Sequence, residues 1–310
     1  MSTFSALIKR EVLDSKNGYI YVPLILMGIT LFLVTLSSLG IGKTIYLNGM
    51  EADNIHSLAD LMERARAEDP SRMSAGITLL YWASTSLTWI AFPFVIFFSL
   101  LGALYEERRD RSILFWKSMP VSDWQEVLAK FATPLLVAPL TFLAVVIVSQ
   151  LFLALLFSLI MVFQGGAILP LWPVSLLFTS WLTFIVHYLL WLVWALPVLA
   201  WLLFVSSFAN RMPFLWAILF PVVLIVVEGM FMGTHHVGNW ITLHLGAWQS
   251  SAFEQIGGNI NGPNDALKII LGGVQLEGFT YTISSVQFWI GLAVTAAFLF
   301  GAVQMRKRAL

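Results

Sequence analysis

The chain alternates between six long apolar runs and shorter polar segments. Each run reaches the roughly 20 residues that an α-helix needs to cross a bilayer. Hydrophobic residues fill the runs continuously and do not alternate with polar ones, which favours helices over the strands of a membrane barrel. The predicted spans are Ile20–Leu39, Leu79–Leu104, Phe131–Phe163, Ser175–Val205, Phe214–Met232 and Val286–Gln304. The pattern therefore predicts an all-α polytopic membrane protein in which residues 1–310 form one transmembrane domain.

Composition strengthens this prediction. Hydrophobic residues make up 59% of the chain and charged residues 11%, whereas a soluble domain is about 45–50% apolar and about 25% charged. The chain has no cysteine, which excludes disulfides, thiolate metal sites and a cysteine nucleophile. Its formal net charge is zero, so bulk charge does not favour nucleic acid as a partner. The first nineteen residues carry too many charges for the apolar core of a signal peptide.

The distribution of Lys and Arg predicts the orientation, because cytoplasmic segments of membrane proteins are enriched in both. With the N-terminus inside, the inner segments hold Lys9, Arg10, Lys16, Arg108, Arg109, Arg111, Lys117, Lys130, Arg211, Arg306, Lys307 and Arg308. The outer segments hold Lys43, Arg64, Arg66, Arg72 and Lys268. An even number of spans also places the two termini on one side, so both are expected in the cytoplasm.

Two outer segments are long. Residues 41–78 are rich in acidic side chains and are expected to form a small helical hairpin or cap. Residues 233–285 are glycine-rich and partly apolar, which suits a segment at or within the membrane interface. The third span contains Pro134 and Pro139, which predict a kink near its cytoplasmic end.

Residues 1–18 are predicted to form an interfacial helix. Phe4, Leu7, Ile8 and Val12 share one face at helical spacing, and Glu11 lies close to that face. One interpretation is a membrane-surface anchor. The other is that Glu11 faces a partner.

The segment 105–123 combines charge, aromatic residues and a helix-start signal. Charges of alternating sign at 106–111 lead into the apolar patch 113–116 and then to Pro120. Ser122 and Gln125 form a capping-box pattern, and Asp123 adds negative charge at the helix N-terminus. The segment is predicted to be a turn that presents a short aromatic helix at the cytoplasmic surface. Its interpretation as an interfacial helix with Trp116 and Trp124 at headgroup depth stays open.

The string SILFWKSMPVSDWQEVLAK resembles the signature of ABC exporter permeases of the six-helix (type-2) family. The matching positions are Phe115, Trp116, Ser118, Pro120, Val121, Ser122 and Asp123. The opening ALIKREVLDSK is similar to the connecting helix before the first span in that family. One departure is Arg111-Ser112, which stands where the family has a glycine-containing turn.

The resemblance implies a permease subunit in a bacterial cytoplasmic (inner) membrane. It implies two cytoplasmic ATP-binding-cassette ATPase subunits as partners, together with a second copy of the permease or a related one. ATP and Mg²⁺ would be bound by the partner, so the chain itself would be neither an enzyme nor a cofactor protein. By this likeness, the contact with the ATPase would involve Glu11, Glu106, Glu107, Arg109, Asp110, Phe115, Trp116 and Lys117.

A nucleotide site within the chain is not supported. Gly42-Lys43-Thr44 looks like the end of a phosphate-binding loop, but the glycine that the motif needs five residues earlier is Ser37. The segment also follows a predicted span, whereas the motif follows a strand.

Other polar residues offer weaker candidates. Glu228 is an acid inside the fifth span, where charges often mark transport paths. His187 and Gln150, in the fourth and third spans, are further candidates for a transport path, although hydrogen bonding between helices is the favoured interpretation of both. No serine-nucleophile elbow is present, and no catalytic residue is assigned.

A histidine group after the fifth span raises the question of a metal site. His235, His236 and His244 would need a fourth ligand such as Glu228 or Glu254. Their spacing matches no metallohydrolase pattern, so interfacial histidines are favoured and no metal is assigned.

Two further functions stay open at this stage. One is a stand-alone secondary carrier or channel, which would call for more charge within the spans. The other is an intramembrane or outer-face enzyme that uses the histidine group and Glu228. The many tryptophans and phenylalanines of the spans would suit a hydrophobic or amphipathic cargo, but equally suit packing against lipid.

Overall fold

The computed structural model describes residues 3–40, 58–246, 263–264 and 282–308, and every regular element within these ranges is a helix. The helices are α1 (Thr3–Asp14), α2 (Val22–Gly40), α3 (Leu58–Glu68), α4 (Pro70–Ser84), α5 (Ser86–Gly102), α6 (Tyr105–Arg109), α7 (Ile113–Lys117), α8 (Asp123–Phe163), α9 (Val174–Phe208), α10 (Pro213–Met232), α11 (His236–Leu245) and α12 (Val286–Arg308). A π-helical turn, Asn17–Tyr21, precedes α2, and a 3₁₀ turn, Leu169–Leu171, precedes α9.

Within the described ranges, six helical segments are long and apolar enough to cross a membrane, the number that the sequence predicts. They are Asn17–Ser38, Ser86–Arg109, Asp123–Phe163, Leu169–Phe208, Pro213–Met232 and Val286–Arg308. The predicted boundaries of the fifth and sixth agree closely with α10 and α12.

The second span differs from its predicted boundary. The sequence predicts one helix over Leu79–Leu104, but the chain leaves the helical conformation at Thr85, where φ is −98° and ψ is 6°. Residues up to Ser84 therefore belong to α4, which starts at Pro70. The side chain of Asp69 caps that start by accepting hydrogen bonds from the backbone N–H groups of Ser71 and Arg72.

The third span is much longer than predicted. The capping box at Ser122 and Gln125 is present, and the helix that it starts continues without a break to Phe163. Within segment 105–123, a short helix with Phe115 and Trp116, α7, precedes this span. At 41 residues, α8 is about 60 Å long, roughly twice the thickness of the hydrocarbon core. The helix is therefore too long to lie entirely within the hydrocarbon core along the membrane normal.

The packing places α9 at the centre of the bundle. More than half of its most apolar window is buried, whereas the first and fifth spans are exposed along most of their length. The core around α9 contains fully buried Phe142 from α8, Leu100 from α5 and Leu203 from α9 itself. The spans therefore form a bundle in which α2 and α10 are peripheral.

Helix α1, the short helices α6 and α7, the start of α8 and the end of α12 meet at one end of the bundle. This region is called the charged end below. Of the two predicted outer segments, residues 41–57, 247–262 and 265–281 lie outside the described residues. The described part holds α3, the start of α4 and α11.

Candidate functional site

Six charged side chains from four helices form a cluster inside the charged end. Three are carboxylates and three are cations, so their formal charges cancel. The members of this ion-pair cluster are Arg10 and Glu11 of α1, Glu107 of α6, Glu126 and Lys130 of α8, and Arg306 of α12. Five of the six are buried, and Arg10 is half-buried.

Lys130 lies at the centre of the cluster. Its Nζ is 3.0 Å from Oε1 and 3.1 Å from Oε2 of Glu11. The same Nζ is 3.0 Å from Oε1 of Glu107. One ammonium group therefore joins α1 and α6 to the first turns of α8.

Arg306 connects the end of α12 to carboxylates of α6 and α8. Its Nη1 donates to Oε2 of Glu107 at 2.6 Å, and its Nη2 lies 3.9 Å from Oε1 of Glu126. Its Nε lies 3.3 Å from Oδ1 of Asp123, which adds a half-buried acid at the edge of the cluster. The guanidinium thus contacts three carboxylates on two helices.

Arg10 closes the cluster on the side of α1. It donates hydrogen bonds to Glu11 and Glu126, and its Nη2 is 3.8 Å from Oε1 of Glu107. Burial works against the charged guanidinium, but the hydrogen bonds to both carboxylates outweigh it and raise the pKa of Arg10 above its ordinary value. Its Cζ lies 4.0 Å from the ring centroid of Trp116, a cation–π distance. Arg10 therefore links the cluster to the loop above it.

Local sequence explains why these side chains converge. Asp123, Glu126 and Lys130 are spaced three and four residues apart, so they share one face of α8.

On α6, the adjacent residues Glu107 and Arg108 contact different partners. Arg108 donates from Nη2 to the carbonyl oxygens of Ser206 and Ala209, at 2.7 and 2.8 Å, and so caps the C-terminus of α9.

Burying six charges is costly, and each carboxylate offsets this cost with more than one cation. Because three carboxylates and three cations balance, removing any one leaves the buried cluster with one uncompensated charge, which typically costs about 3–5 kcal/mol. The ligand atoms of Glu11, Glu107 and Glu126 lie within 4.8 Å of one another, close enough for a metal ion. Three cations already neutralise them, however, so the donor set does not fit an additional divalent cation.

The loop above the cluster presents an apolar surface. Phe115 and Leu114 of α7 are 61% and 57% exposed, whereas Ile113 is buried and anchors the helix. Trp116 lies half-buried on Arg10. The exposed apolar side chains Leu114, Phe115 and Met119 are called the loop surface below.

Charged residues surround the loop surface. Arg109 and Asp110 are exposed and pair with each other at 2.9 Å, and Glu106 is exposed beside them. Lys117 donates from Nζ to the carbonyl oxygen of Lys307 at 3.3 Å, near the C-terminus of α12. The arrangement is an apolar centre with a charged rim, as in protein–protein interfaces.

The residues predicted to contact an ATPase fall into two groups. Glu106, Arg109, Asp110 and Phe115 are exposed and Lys117 is half-buried, so all five are accessible. Glu11 and Glu107 are buried in the ion-pair cluster, and Trp116 packs on Arg10. This second group lies beneath the surface that a partner would touch. The contact itself stays a prediction.

The turn at Arg111-Ser112 has an unusual backbone. Arg111 has φ of +59°, in the left-handed region that glycine adopts without strain. This is the position at which the permease signature would have a glycine-containing turn. The backbone therefore adopts a glycine-type conformation although the side chain is arginine.

The three residues predicted for a transport path lie apart from the cluster and have structural partners. The carboxylate of Glu228 accepts hydrogen bonds from the backbone N–H groups of His236 and Val237, at 2.5 and 2.8 Å, and so caps the start of α11. Gln150 is fully buried and accepts from Nε1 of Trp181 at 2.7 Å. His187 contacts the carbonyl oxygen of Thr183 through Nδ1 at 3.1 Å. A transport role for these residues stays a prediction.

The histidine group after the fifth span is dispersed. His235 and His236 are exposed, whereas His244 is buried with Nδ1 2.8 Å from the carbonyl oxygen of Trp240. Burial lowers the pKa of His244 below its ordinary value. In the part of the chain that the structure describes, these histidines do not converge as metal ligands.

Sequence reasoning missed Arg10, Glu126, Lys130 and Arg306 as members of a site. A signal was present in α8, where Glu126 and Lys130 stand four residues apart just ahead of a continuous apolar run. Nothing local indicated that Arg306, almost at the end of the chain, would meet Glu107.

Comparison with known proteins gives no match: no family model, curated protein or solved structure is similar to this chain.

Proposed function

We propose that this chain is the membrane-spanning permease subunit of an ABC exporter in a bacterial cytoplasmic membrane. Two separate ATPase subunits would bind and hydrolyse ATP with Mg²⁺ and dock on the charged end, which would lie in the cytoplasm. A second copy of the permease or a related one would complete the transport unit. Substrate would move by alternating access between the two sides of the membrane.

The observation that carries the proposal is an exposed aromatic loop resting on an ion-pair cluster that joins four helices. The loop surface has the form of a docking site, with Phe115 as its most exposed member. Beneath it, Trp116 contacts Arg10, and Arg10 pairs with carboxylates of α1 and α8.

This connection supplies a route for motion. Pressure on α7 reaches α1 through Arg10, and movement of α6 reaches α8 and α12 through Glu107, which contacts Lys130 and Arg306. Side chains in a buried ionic network have few alternative arrangements, because each separated charge is costly. The loop, the N-terminal helix and the ends of two spans would therefore move together when a partner pushes on the loop.

The test is co-purification of the full chain from its native cells in mild detergent, with ATP hydrolysis measured on the product. Phe115→Ala removes the exposed ring of the loop surface. The matched control is Phe163→Ala, since Phe163 is 83% exposed at the other end of α8. A buried aromatic hot spot contributes about 2 kcal/mol or more, so Phe115→Ala should weaken partner binding roughly 30-fold.

The expected result is a stoichiometric ATP-binding protein with the wild type and with Phe163→Ala, and its loss with Phe115→Ala. If the wild type purifies without any ATP-binding protein and shows no ATP hydrolysis, the proposal is refuted. If both variants retain the partner equally, the docking site is elsewhere on the chain.

A further inference from the structure

A cavity of about 570 Å³ lies between α5, α9, α10 and α11, and Phe298 of α12 also lines it. Its volume falls within the range of about 300–1,000 Å³ that is typical of small-molecule sites. On α10 the wall runs from Ala217 to Ile225, a rise of about 12 Å along the helix. The space is therefore elongated along a membrane span.

Interior prolines explain why the helices leave a gap. The wall contains Pro93 of α5, Pro197 of α9 and Pro221 of α10. Each proline removes a helical hydrogen bond and its ring displaces the preceding turn, so helices bend or separate at these positions. Three such positions in one wall prevent continuous packing of α10 against its neighbours.

Helix α10 is held mainly near its two ends. Of its residues, Ala217 and Glu228 are buried. The carbonyl oxygen of Ala217 accepts a hydrogen bond from Nε1 of Trp201 at 3.1 Å, and Glu228 caps α11. The stretch between these two attachments spans the cavity.

The side chains of the cavity wall favour an apolar ligand over a polar one. All side chains that line the cavity are hydrocarbon or aromatic. Of the three tryptophans in the wall, Trp191 and Trp201 already donate their indole N–H groups to the carbonyl oxygens of Leu245 and Ala217. A polar ligand would lose its hydration without gaining these hydrogen bonds, whereas an alkyl chain has no hydrogen bonds to lose.

The outer face of the wall indicates where the alkyl chain comes from. Ile218, Phe220 and Val222 line the cavity and are 42%, 46% and 46% exposed. They belong to α10, a peripheral span of which little is buried. In a membrane, such an apolar outer surface contacts the acyl chains of lipids. We propose that this cavity is a binding site for one acyl chain of a membrane phospholipid, which inserts beside α10 and reaches the inner wall.

Van der Waals contact holds the acyl chain in place. A chain that moves from bilayer to cavity leaves one hydrocarbon environment for another, so hydrophobic transfer contributes little. An empty cavity would leave its walls without contacts on one side, and the inserted chain restores them. This site does not depend on the proposed export function.

The test uses the purified full chain in nanodiscs that contain a phosphatidylcholine with a photoreactive diazirine at the middle of one acyl chain. A free fatty acid with the same diazirine serves as the second probe. After illumination, mass spectrometry of peptides locates the labelled residues. The informative positions are Ile96, Leu199 and Leu202, which line the cavity but are at most 5% exposed.

We expect the phospholipid probe to label these inner positions. Val198→Phe adds a ring to the cavity wall and should remove the inner labelling while leaving labelling of the outer face of α10. The matched control is Val148→Phe on α8, where Val148 is 54% exposed and does not line the cavity. That control should keep the inner labelling.

Three results would overturn the proposal. The first is wild-type labelling confined to outward-facing residues. The second is inner labelling that persists in Val198→Phe, and the third is inner labelling by the free fatty acid alone. If Val198→Phe fails to fold, the wild-type pattern with the two probes still decides the outcome.

Discussion

The hydrogen bond from Tyr188 to the backbone of α8 can be used to test how the bundle replaces the N–H donors that its prolines lack. Pro139 has no N–H group, so the carbonyl oxygen of Leu135, four residues earlier, lacks its usual helical donor. The hydroxyl of Tyr188 on α9 donates to that oxygen at 2.7 Å, in a buried position. We infer that Tyr188 replaces the donor that proline removes.

The perturbation is Tyr188→Phe, which removes the hydroxyl and keeps the ring. Ring contacts with Phe92 and Phe184, at centroid distances of 5.8 and 6.4 Å, should persist. A buried carbonyl without a donor costs about 1–3 kcal/mol. Side-chain hydrogen bonds in membrane proteins average about 0.6 kcal/mol and reach about 1.7 kcal/mol. We therefore expect the free energy of unfolding to fall by about 1 to 1.7 kcal/mol.

A double-mutant cycle identifies the cause. In the Pro139→Ala background, position 139 regains its N–H group and can donate to Leu135 through the ordinary helical bond. Tyr188→Phe should then cost less than about 0.5 kcal/mol, the usual range of a neutral change. The assay is reversible unfolding of the four proteins in mixed micelles, followed by tryptophan fluorescence.

The control for loss of a tyrosine hydroxyl is Tyr21→Phe, because Tyr21 is 50% exposed. It should leave the free energy of unfolding unchanged within about 0.5 kcal/mol. If Tyr188→Phe costs the same in the wild-type background as in the Pro139→Ala background, the carbonyl of Leu135 does not depend on Tyr188, and the reasoning is refuted.

Three further substitutions, one of them with a matched control, test the charged end and the packing of the spans. Lys130→Met leaves two buried carboxylates of the ion-pair cluster without their ammonium partner, so the free energy of unfolding should fall by about 3–5 kcal/mol in the same assay; a loss below about 1 kcal/mol would contradict the assigned pairing. Arg111→Gly removes the strain of a left-handed backbone with φ of +59° and should raise the free energy of unfolding by about 0.5–1 kcal/mol. A lower thermal midpoint would show that the arginine side chain is needed. Gly301→Ala places a Cβ 2.7 Å from Cε2 of Phe204 and should lower the free energy of unfolding by about 1–3 kcal/mol. Its control is Gly28→Ala, where the added Cβ meets nothing within 4 Å; this change should be neutral or should raise the free energy of unfolding by up to about 1 kcal/mol.

The spans are the part of the fold that the sequence predicted. Runs of about 20 apolar residues leave few structures other than membrane helices, because backbone polar groups in lipid must pair within the segment. The capping box at Ser122 was likewise local, and it is present. The third span was predicted to start at Phe131, whereas the helix that follows the capping box begins at Asp123 and continues through Pro134 and Pro139. The kink expected at these prolines stays a prediction.

The sequence predicted the candidate site only in part. Glu11 stood out as a charge near an apolar face and Glu107 as part of the alternating-charge run 106–111, and the family resemblance predicted both as contacts for a partner protein. Within this chain they pair with Lys130, and Glu107 also pairs with Arg306. The residues in these pairs are separated by 23 to 199 positions, and local periodicity carries no information at such distances.

Local sequence determines which segments are helical and where α8 begins. It also determines which backbone carbonyl groups lose their helical N–H donor to a proline. All three depend only on residues within a few positions along the chain. Packing of the helices dictates which side chains compensate for those losses: Tyr188 for Leu135 and Trp201 for Ala217. It also brings Lys130 to Glu11. The physical reason is that apolar spans are nearly interchangeable in lipid, so helix contacts are set by shape and by a few polar pairs, which become defined only when the helices pack.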